Sequence, residues 1–499
     1  MAVDDADTPV APSAAREAAR PSPTPSTHLV RNAIGGPHLV FFVVAAAAPL
    51  TVMAGVAPLA IAIGGLAAPL AYLLSGAVLV LFAVGFTAMS RHVTNAGAFY
   101  AYVGRGLGKP AGAGSAYVAL LSYNLIQIGL LAAFGFFAEA TVADLFGIDI
   151  GWQVWTLAGL VLIGILGWLK VTFSARVLGV VLAVEVLILL IFEGGVLFGG
   201  APEGLSLEPF DPANLVTSGA AAMLVLSTGA FIGFEATAIY SEEVRDPRRT
   251  VPWATYVAVG FLAIFYTFTV WTIIMSVGTS QAVEVAQSDA GADMVFTATE
   301  AFVGAWASDA MRLLIVTSAF AAGLAFHNAA VRYLYALGRE GLLPGLLART
   351  DPRTGSPSRA VLVQSLLAVV VIGVGIAADA DPYLVILLWT NGPGILGIVA
   401  LQALAAAAAV AFFRRDRHGH SAGRVLVAPA VAAVLLALAV VLVLMNFDLL
   451  TDASWTVNAI LLLPVPLVFA LGAWQAVRIR RTDPARYARL TTTDADRDD

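Results

Sequence analysis

The sequence predicts an all-α integral membrane protein of twelve transmembrane helices, on three observations. Of 499 residues, 59% are hydrophobic and 12% charged, with a mean hydropathy of +0.86. A water-soluble domain of this size needs far more polar surface. The apolar residues fall into blocks of about twenty, the length that crosses a hydrocarbon core as a helix. The basic residues alternate between loops as the positive-inside rule demands. In hydrocarbon every amide must be paired within its own segment, so such blocks read as helices. The short alternating strands of a barrel are not found.

Taken in order, the blocks place spans at 39–63, 67–89, 111–140, 152–169, 177–199 and 217–240. The second half follows with 252–276, 308–336, 359–378, 383–412, 425–446 and 457–478. Residues 1–30 are rich in Pro, Ala and Ser and lack the apolar core of a signal peptide, which predicts a disordered cytoplasmic tail. The helical domain covers 31–480, and 481–499 is expected to be a cytoplasmic C-terminal tail.

Loop charge sets the orientation. Arg91, Arg105 and Lys109 lie between spans two and three, and Lys170 and Arg176 between four and five. Arg245, Arg248 and Arg249 follow span six; Arg339, Arg349, Arg353 and Arg359 surround the eighth-to-ninth connection; Arg414, Arg415, Arg417 and Arg424 follow span ten. The opposite loops carry acids, and of the 27 basic residues Arg312 falls there alone. Both termini are therefore expected in the cytoplasm. With 25 Arg against 2 Lys and abundant Ala, the composition points to a GC-rich bacterial genome and hence a bacterial plasma membrane. The absence of Cys excludes thiolate chemistry and Cys-based metal sites.

Two spans carry breaks. Pro49, Gly55 and Pro58 interrupt the first, and Gly229 and Gly233 sit mid-span in the sixth. Proline removes a donor and glycine loosens the backbone. Freed main-chain groups are tolerable in a membrane where they line a protein cavity. If spans one to five (39–199) and six to ten (217–412) are inverted repeats, with 425–478 added, the breaks open both repeats at matching positions.

Three stretches carry a resemblance: "FIGFEATAIYSEEVRDPRRTVPWA" (231–254), "NAAVRYLYALGREGLLP" (328–344) and "SRHVTNAGAFYAYV" (90–103). As a set they resemble the amino acid–polyamine–organocation superfamily, in particular its bacterial amino acid permeases. The resemblance spans roughly residues 30 to 480 and implies the leucine-transporter-type fold: a five-plus-five inverted repeat, discontinuous first and sixth helices, two C-terminal helices, and alternating access around a mid-membrane site. On this likeness the substrate site is expected at Met53, Ala54, Gly55 and Val56 of span one and Ser227, Gly229, Phe231, Ile232, Gly233 and Phe234 of span six. Relatives carry two glycines where Met53–Val56 has one. Gly229 stands where arginine-exchanging relatives carry Trp, which argues against a guanidinium substrate.

Buried acids are costly in a bilayer, roughly 3 kcal/mol on insertion scales. Glu185 lies eleven residues after Ser174, where similar proton-coupled members carry Lys. It is expected either to couple a proton or sodium ion or to serve packing as a hydrogen-bonded carboxyl. Glu235 resembles a glutamate implicated in proton sensing; the alternative is a structural tie to freed amides. Glu139 and Glu193 are expected at the interface, Tyr123, Asn124 and Gln127 as interhelical partners, and Asn124, His327 and Asn328 as candidate cavity-lining groups. "WTNGPG" (389–394) predicts a kink in span ten, and "SEEVRDPRRT" reads as a solvated surface loop. No Walker motif, zinc spacing or triad is present, so no enzyme chemistry, metal, cofactor or nucleic-acid partner is expected.

The resulting expectation is a secondary active carrier of amino acids, driven by a proton or sodium gradient, with a polyamine or ethanolamine-like carrier as the alternative. A nutrient receptor is the third reading. The substrate carboxylate is expected at amides near Ala54, Gly55 and Gly233, its amine at carbonyls near Met53 and Phe231, and Phe231 and Phe234 on its apolar side.

Overall fold

Apolar blocks of membrane length have become helices, and no strand occurs among the described residues. The computed structural model describes residues 35–93, 97–169 and 171–491, the side chains of 171–177 and 289 excepted. The expected tail over 1–30, Thr94 to Ala96, Lys170, and the side chains of Ser174 and Arg176 lie outside that description.

The first span comprises α1 (Gly36–Ala46), a π-helical turn over Thr51–Val56, and α2 (Ala57–Gly64). Next come α3 (Ala68–Ser90), the short α4 (Phe99–Leu107) and the 38-residue α5 (Lys109–Phe146). α6 (Trp152–Trp168) and α7 (Val171–Gly199) close the first half. The sixth span is α8 (Ala220–Gly229), a bend, and a 3₁₀ turn over Phe234–Ala238, followed by α9 (Pro247–Val277). Two short helices, α10 (Ala282–Gln287) and α11 (Met294–Phe302), lead into the 36-residue α12 (Ala305–Glu340) and then α13 (Ser358–Ala377). π-helical turns over Pro382–Leu387 and Gly423–Val427 open α14 (Leu388–Arg415) and α15 (Ala428–Met445). The chain ends in α16 (Phe447–Thr451), α17 (Trp455–Leu462), α18 (Pro464–Thr482) and α19 (Pro484–Arg489). Prolines 37, 58, 69, 110 and 247 open helices, where a missing N–H costs nothing.

Eleven helical stretches among the described residues are long and apolar enough to cross a membrane. The 17-residue α6 stands where the fourth span is expected and is shorter than the others. α5 and α12 run against each other at the centre, α3 packs on α9, and α14 fits between α5 and α15. The first span is 78% buried inside the protein, while the last is 17% buried. The final helices therefore lie on the outside of the bundle, and the broken spans occupy the middle.

Two expectations change. The "SEEV" segment is not a solvated loop: Glu243 meets Arg332 at 2.6 Å and Glu242 meets Arg339 at 2.6 Å, all four side chains at most 8% exposed. Arg332 also lies 4.4 Å over the Tyr240 ring. Long arginines on α12 reach the segment after the sixth span, and a buried acid needs such a partner. Glu193 is buried rather than interfacial, because Thr269 on α9 donates to it at 2.5 Å. The expected C-terminal tail, for its part, packs on the bundle as far as Thr491. Lys109 Nζ donates to the carbonyls of Tyr487 (2.8 Å) and Ala488 (2.6 Å), and Arg105 Nε to that of Thr491 (3.1 Å). Arg312, the lone base among acidic loops, pairs with Asp144 and Asp293.

Candidate functional site

Pro49 creates the first interruption. Proline disfavours the helical region for the residue before it, and Ala48 adopts φ 46°. A left-handed alanine costs roughly 1–2 kcal/mol. The helix therefore stops at Ala46, and the break lies at Ala47–Ala48, not at Met53–Val56 as expected; those four residues are wound into the π-helical turn. The Ala47 carbonyl, left without a helical donor, accepts from Tyr266 OH at 2.9 Å. On the far side of the break, the Leu50 amide bonds to Glu185 and the Thr51 amide donates to Ser318 Oγ at 3.3 Å. Ser318 Oγ in turn donates to Glu185 Oε2 at 2.8 Å. Glu185 on α7 thus caps the second half of span one.

The second interruption falls where expected. α8 ends at Gly229, tight turns carry the chain to Gly233, and Gly233 takes φ 123°, which a side chain disfavours. Its amide donates to Glu235 Oε2 at 3.0 Å, and Tyr123 OH on α5 donates to Oε1 at 3.0 Å. Glu235 therefore makes the structural tie to a freed amide. The two breaks abut: a Cβ at Gly233 would sit 2.8 Å from Ala46 Cβ and 3.4 Å from the Ala47 nitrogen.

Beside this junction lies a cavity of ≈ 130 Å³. Span one contributes Ala46, Ala47, Ala48, Thr51, Val52 and Val56; span six contributes Leu226, Gly229, Ala230 and Ile232. α5 adds Ile126, Leu130 and Ala133, α12 adds Phe326, and the tenth span adds Tyr383, Asn391 and Ile395. Polar groups are few: Thr51, Tyr383 and Asn391, with Thr51 Oγ1 and Asn391 Oδ1 lacking partners among the described residues. Tyr383 OH donates to the Gly55 carbonyl at 3.3 Å. An apolar cavity of about 150 Å³ holds a molecule the size of benzene, so this one suits a small organic ligand. Among the described residues no carboxylate lines it.

Of the expected substrate residues, Val56, Gly229 and Ile232 line the cavity. Met53, Ala54, Ser227, Phe231, Gly233 and Phe234 are buried outside it. Phe231 packs edge-on against Tyr266 and Phe234 against Phe82, so both rings face the α3–α9 side. Ser227 Oγ pairs with Ser75 Oγ at 2.8 Å. Gly233 acts behind the wall, by letting the breaks touch. Asn124 donates to its own helix at Leu120, Asn328 is buried, and His327 is packed against Gly167; none lines the cavity. Gln127 accepts from Gln364 at 3.1 Å, an interhelical bond of the kind expected.

The residues that sequence reading missed are Ala46 to Ala48, Thr51, Tyr383 and Asn391. "AAAAP" (45–49) holds a local clue to the first group, since Pro49 disfavours a helical Ala48. Asn391 lies inside "WTNGPG", which α14 carries through Pro393.

A family model described as "Amino acid permease" matches residues 38–485. The chain is 25% identical over 314 residues to the low-affinity putrescine importer of Escherichia coli (strain K12), covering 58% of this chain and 65% of that protein. It is 28% identical over 205 residues to the methylthioribose transporter of Bacillus subtilis (strain 168), covering 40% of this chain and 41% of the relative. To the aspartate–proton symporter of the same organism it is 25% identical over 207 residues, 40% of this chain and 38% of the relative. The matched part thus spans less than two thirds of each of these relatives.

Proposed function

Since this chain belongs to the amino acid permease family, we propose that it is a secondary active transporter whose cargo is a small neutral amino acid. One observation carries the choice of cargo: the cavity beside the two breaks is apolar, contains only Thr51, Tyr383 and Asn391 as polar side chains, and holds no carboxylate. A zwitterion finds the Thr51 hydroxyl and the Asn391 amide, with the second lone pairs of the Ala47 and Ala48 carbonyls, for its two charges. A diamine brings a second cation to a wall of Leu, Ile and Val, where an unpaired charge is costly. Glu185 and Glu235, the acids available to pair it, lie outside the cavity.

Coupling is assigned to Glu185, with a proton as the ion. The carboxylate joins α7, α12 and the second half of span one through one acceptor group. Its protonation weakens the bond from the Leu50 amide and lets that half-helix move. The name of the aspartate–proton symporter relative supports this ion. In this reading twelve crossings place both termini in the cytoplasm of a bacterial plasma membrane. The buried Arg332–Glu243 and Arg339–Glu242 pairs close the face at which α1 begins.

The test is radiolabelled uptake into proteoliposomes across a panel of amino acids and amines, with proton and sodium gradients imposed separately. Saturable, proton-driven flux of a small neutral amino acid is expected. Competition by putrescine but not by neutral amino acids moves the assignment to an amine carrier, and no flux of any member removes the transport reading.

A further inference from the structure

A second pocket, of ≈ 530 Å³, opens on the membrane face at which α1 begins and α3 ends. Arg91, His92, Arg248, Arg249 and His420 line it. They arrive from the end of α3, the first turn of α9 and the α14–α15 connection, so three elements far apart in the chain bring basic side chains together, the arginines from the first two. His92 stacks on His418 at 4.5 Å and meets His420 edge-on at 5.9 Å.

Among the described residues the local acids leave Arg91 and Arg248 uncompensated. Asp246 approaches Arg249 at 3.7 Å, and Asp416 approaches His418 at 3.4 Å. Neither reaches Arg91 or Arg248. Burial, then the positive charges of His418, His420, Arg248 and Arg91, hold His92 below its ordinary value. Burial, then Arg424, Arg91 and His418, do the same to His420. Cations gathered at a membrane edge with so little counter-charge are stable when an anion sits among them.

Arg249 continues into a lipid-facing stripe of α9. Trp253, Val257 and Ile264 follow at near-fourfold spacing and are 49%, 38% and 73% exposed. Gly260, on the same stripe, has open space where a side chain would stand. An aromatic ring just below a basic pocket, with a shallow apolar track beneath, has the form of a phospholipid: phosphate above, acyl chain below.

We propose that this pocket binds a phosphate ester anion, supplied by the headgroup of an anionic phospholipid whose chain lies along Trp253, Val257 and Ile264. The site is separate from the cavity between the broken spans and does not depend on what is transported. Occupancy ties the α3–α9 pair to the α14–α15 connection.

Full-length protein in phosphatidylcholine nanodiscs is titrated with phosphatidylglycerol, and detergent-solubilised protein with inorganic phosphate. Thermal shift and native mass spectrometry of retained lipid are read in both. Saturable retention of one phosphatidylglycerol is expected, lost at about 1 M salt, where screening reaches about 3 Å. The Arg91→Gln/Arg248→Gln pair is expected to weaken binding roughly tenfold to thirtyfold, since each basic residue near an anionic surface contributes on the order of a factor of five. Arg353→Gln, on another loop, leaves it unchanged. Trp253→Ala weakens phosphatidylglycerol but not phosphate if the lipid is the source. Phosphate binding that needs Arg91 and Arg248, without lipid preference, makes a free phosphate ester the source. If the double variant does not fold, Arg249→Gln serves, its side chain being 90% exposed. Equal affinity in wild type and variants, or no binding of either probe, overturns the proposal.

Discussion

The two interruptions are solved with the same chemical group and opposite wiring. At span six, Glu235 lies two residues beyond Gly233 and returns to that residue's own amide. The tie to Gly233 is local and moves with the span, and Tyr123 on α5 and Gln402 on α14 add donors from outside it. At span one, the amides freed after Pro49 have no acid nearby in the chain. They depend on Glu185 from α7 and Ser318 from α12. A local cap stabilises a half-helix wherever it goes, whereas a borrowed cap records where the half-helix is. That difference is why the proposed coupling is placed at Glu185 rather than Glu235.

The sharpest way to break the comparison is truncation. Glu185→Ala leaves the Leu50 amide and the Ser318 hydroxyl without their acceptor, at about 1–3 kcal/mol for each buried group. It is expected to abolish uptake. Glu235→Ala strands the Gly233 amide and the Tyr123 hydroxyl, also buried, so a comparable fall in melting temperature is expected with more uptake retained. Uptake retained at Glu185→Ala but lost at Glu235→Ala reverses the comparison. Next in size is Gly233→Ala, whose Cβ lands 2.8 Å from Ala46 Cβ in a backbone conformation unsuited to alanine. A cost of roughly 1–3 kcal/mol is expected, together with a fall in uptake, because the spans must part. Unchanged melting and uptake shows that the breaks need not touch.

Milder replacements separate coupling from capping. Glu185→Gln retains an acceptor for the Leu50 amide but no longer titrates, so uptake is expected to lose its pH dependence while Glu235→Gln keeps it. Full uptake with an unchanged pH and sodium profile in Glu185→Gln ends the coupling assignment. Smallest is Ala48→Gly. Relief of the left-handed strain, roughly 1–2 kcal/mol, is offset by about 0.5–1 kcal/mol of glycine freedom, and a slight rise in melting temperature is expected. A clear fall shows that Ala48 carries no strain.

Burial patterns explain which residues were legible. Hydropathy found the spans because membrane residence is written into every residue of a block, and Gly229 to Gly233 marked the sixth break because glycine is unusual there. Met53 to Val56 misled because a lone Gly55 resembles a break, yet a π-helical turn absorbs it. Glu242 and Glu243 read as surface charges, since nothing local foretells Arg332 and Arg339 one helix away. The direction of Phe231 and Phe234 was equally hidden. Residues in a tight turn face opposite walls, and which wall is the cavity depends on the neighbours.

Composition, block length and loop charge determine, from the chain alone, that this protein is a helical membrane bundle with weak points in spans one and six; these are sums over local residues and need no partner. Tertiary structure decided that Ala47 and Ala48 rather than Gly55 open the first span, that Glu185 caps it from another helix, and that arginines and histidines from three elements share one pocket. Those outcomes depend on contacts between residues hundreds of positions apart, and a freed amide or a bare charge takes whichever partner packing brings to it.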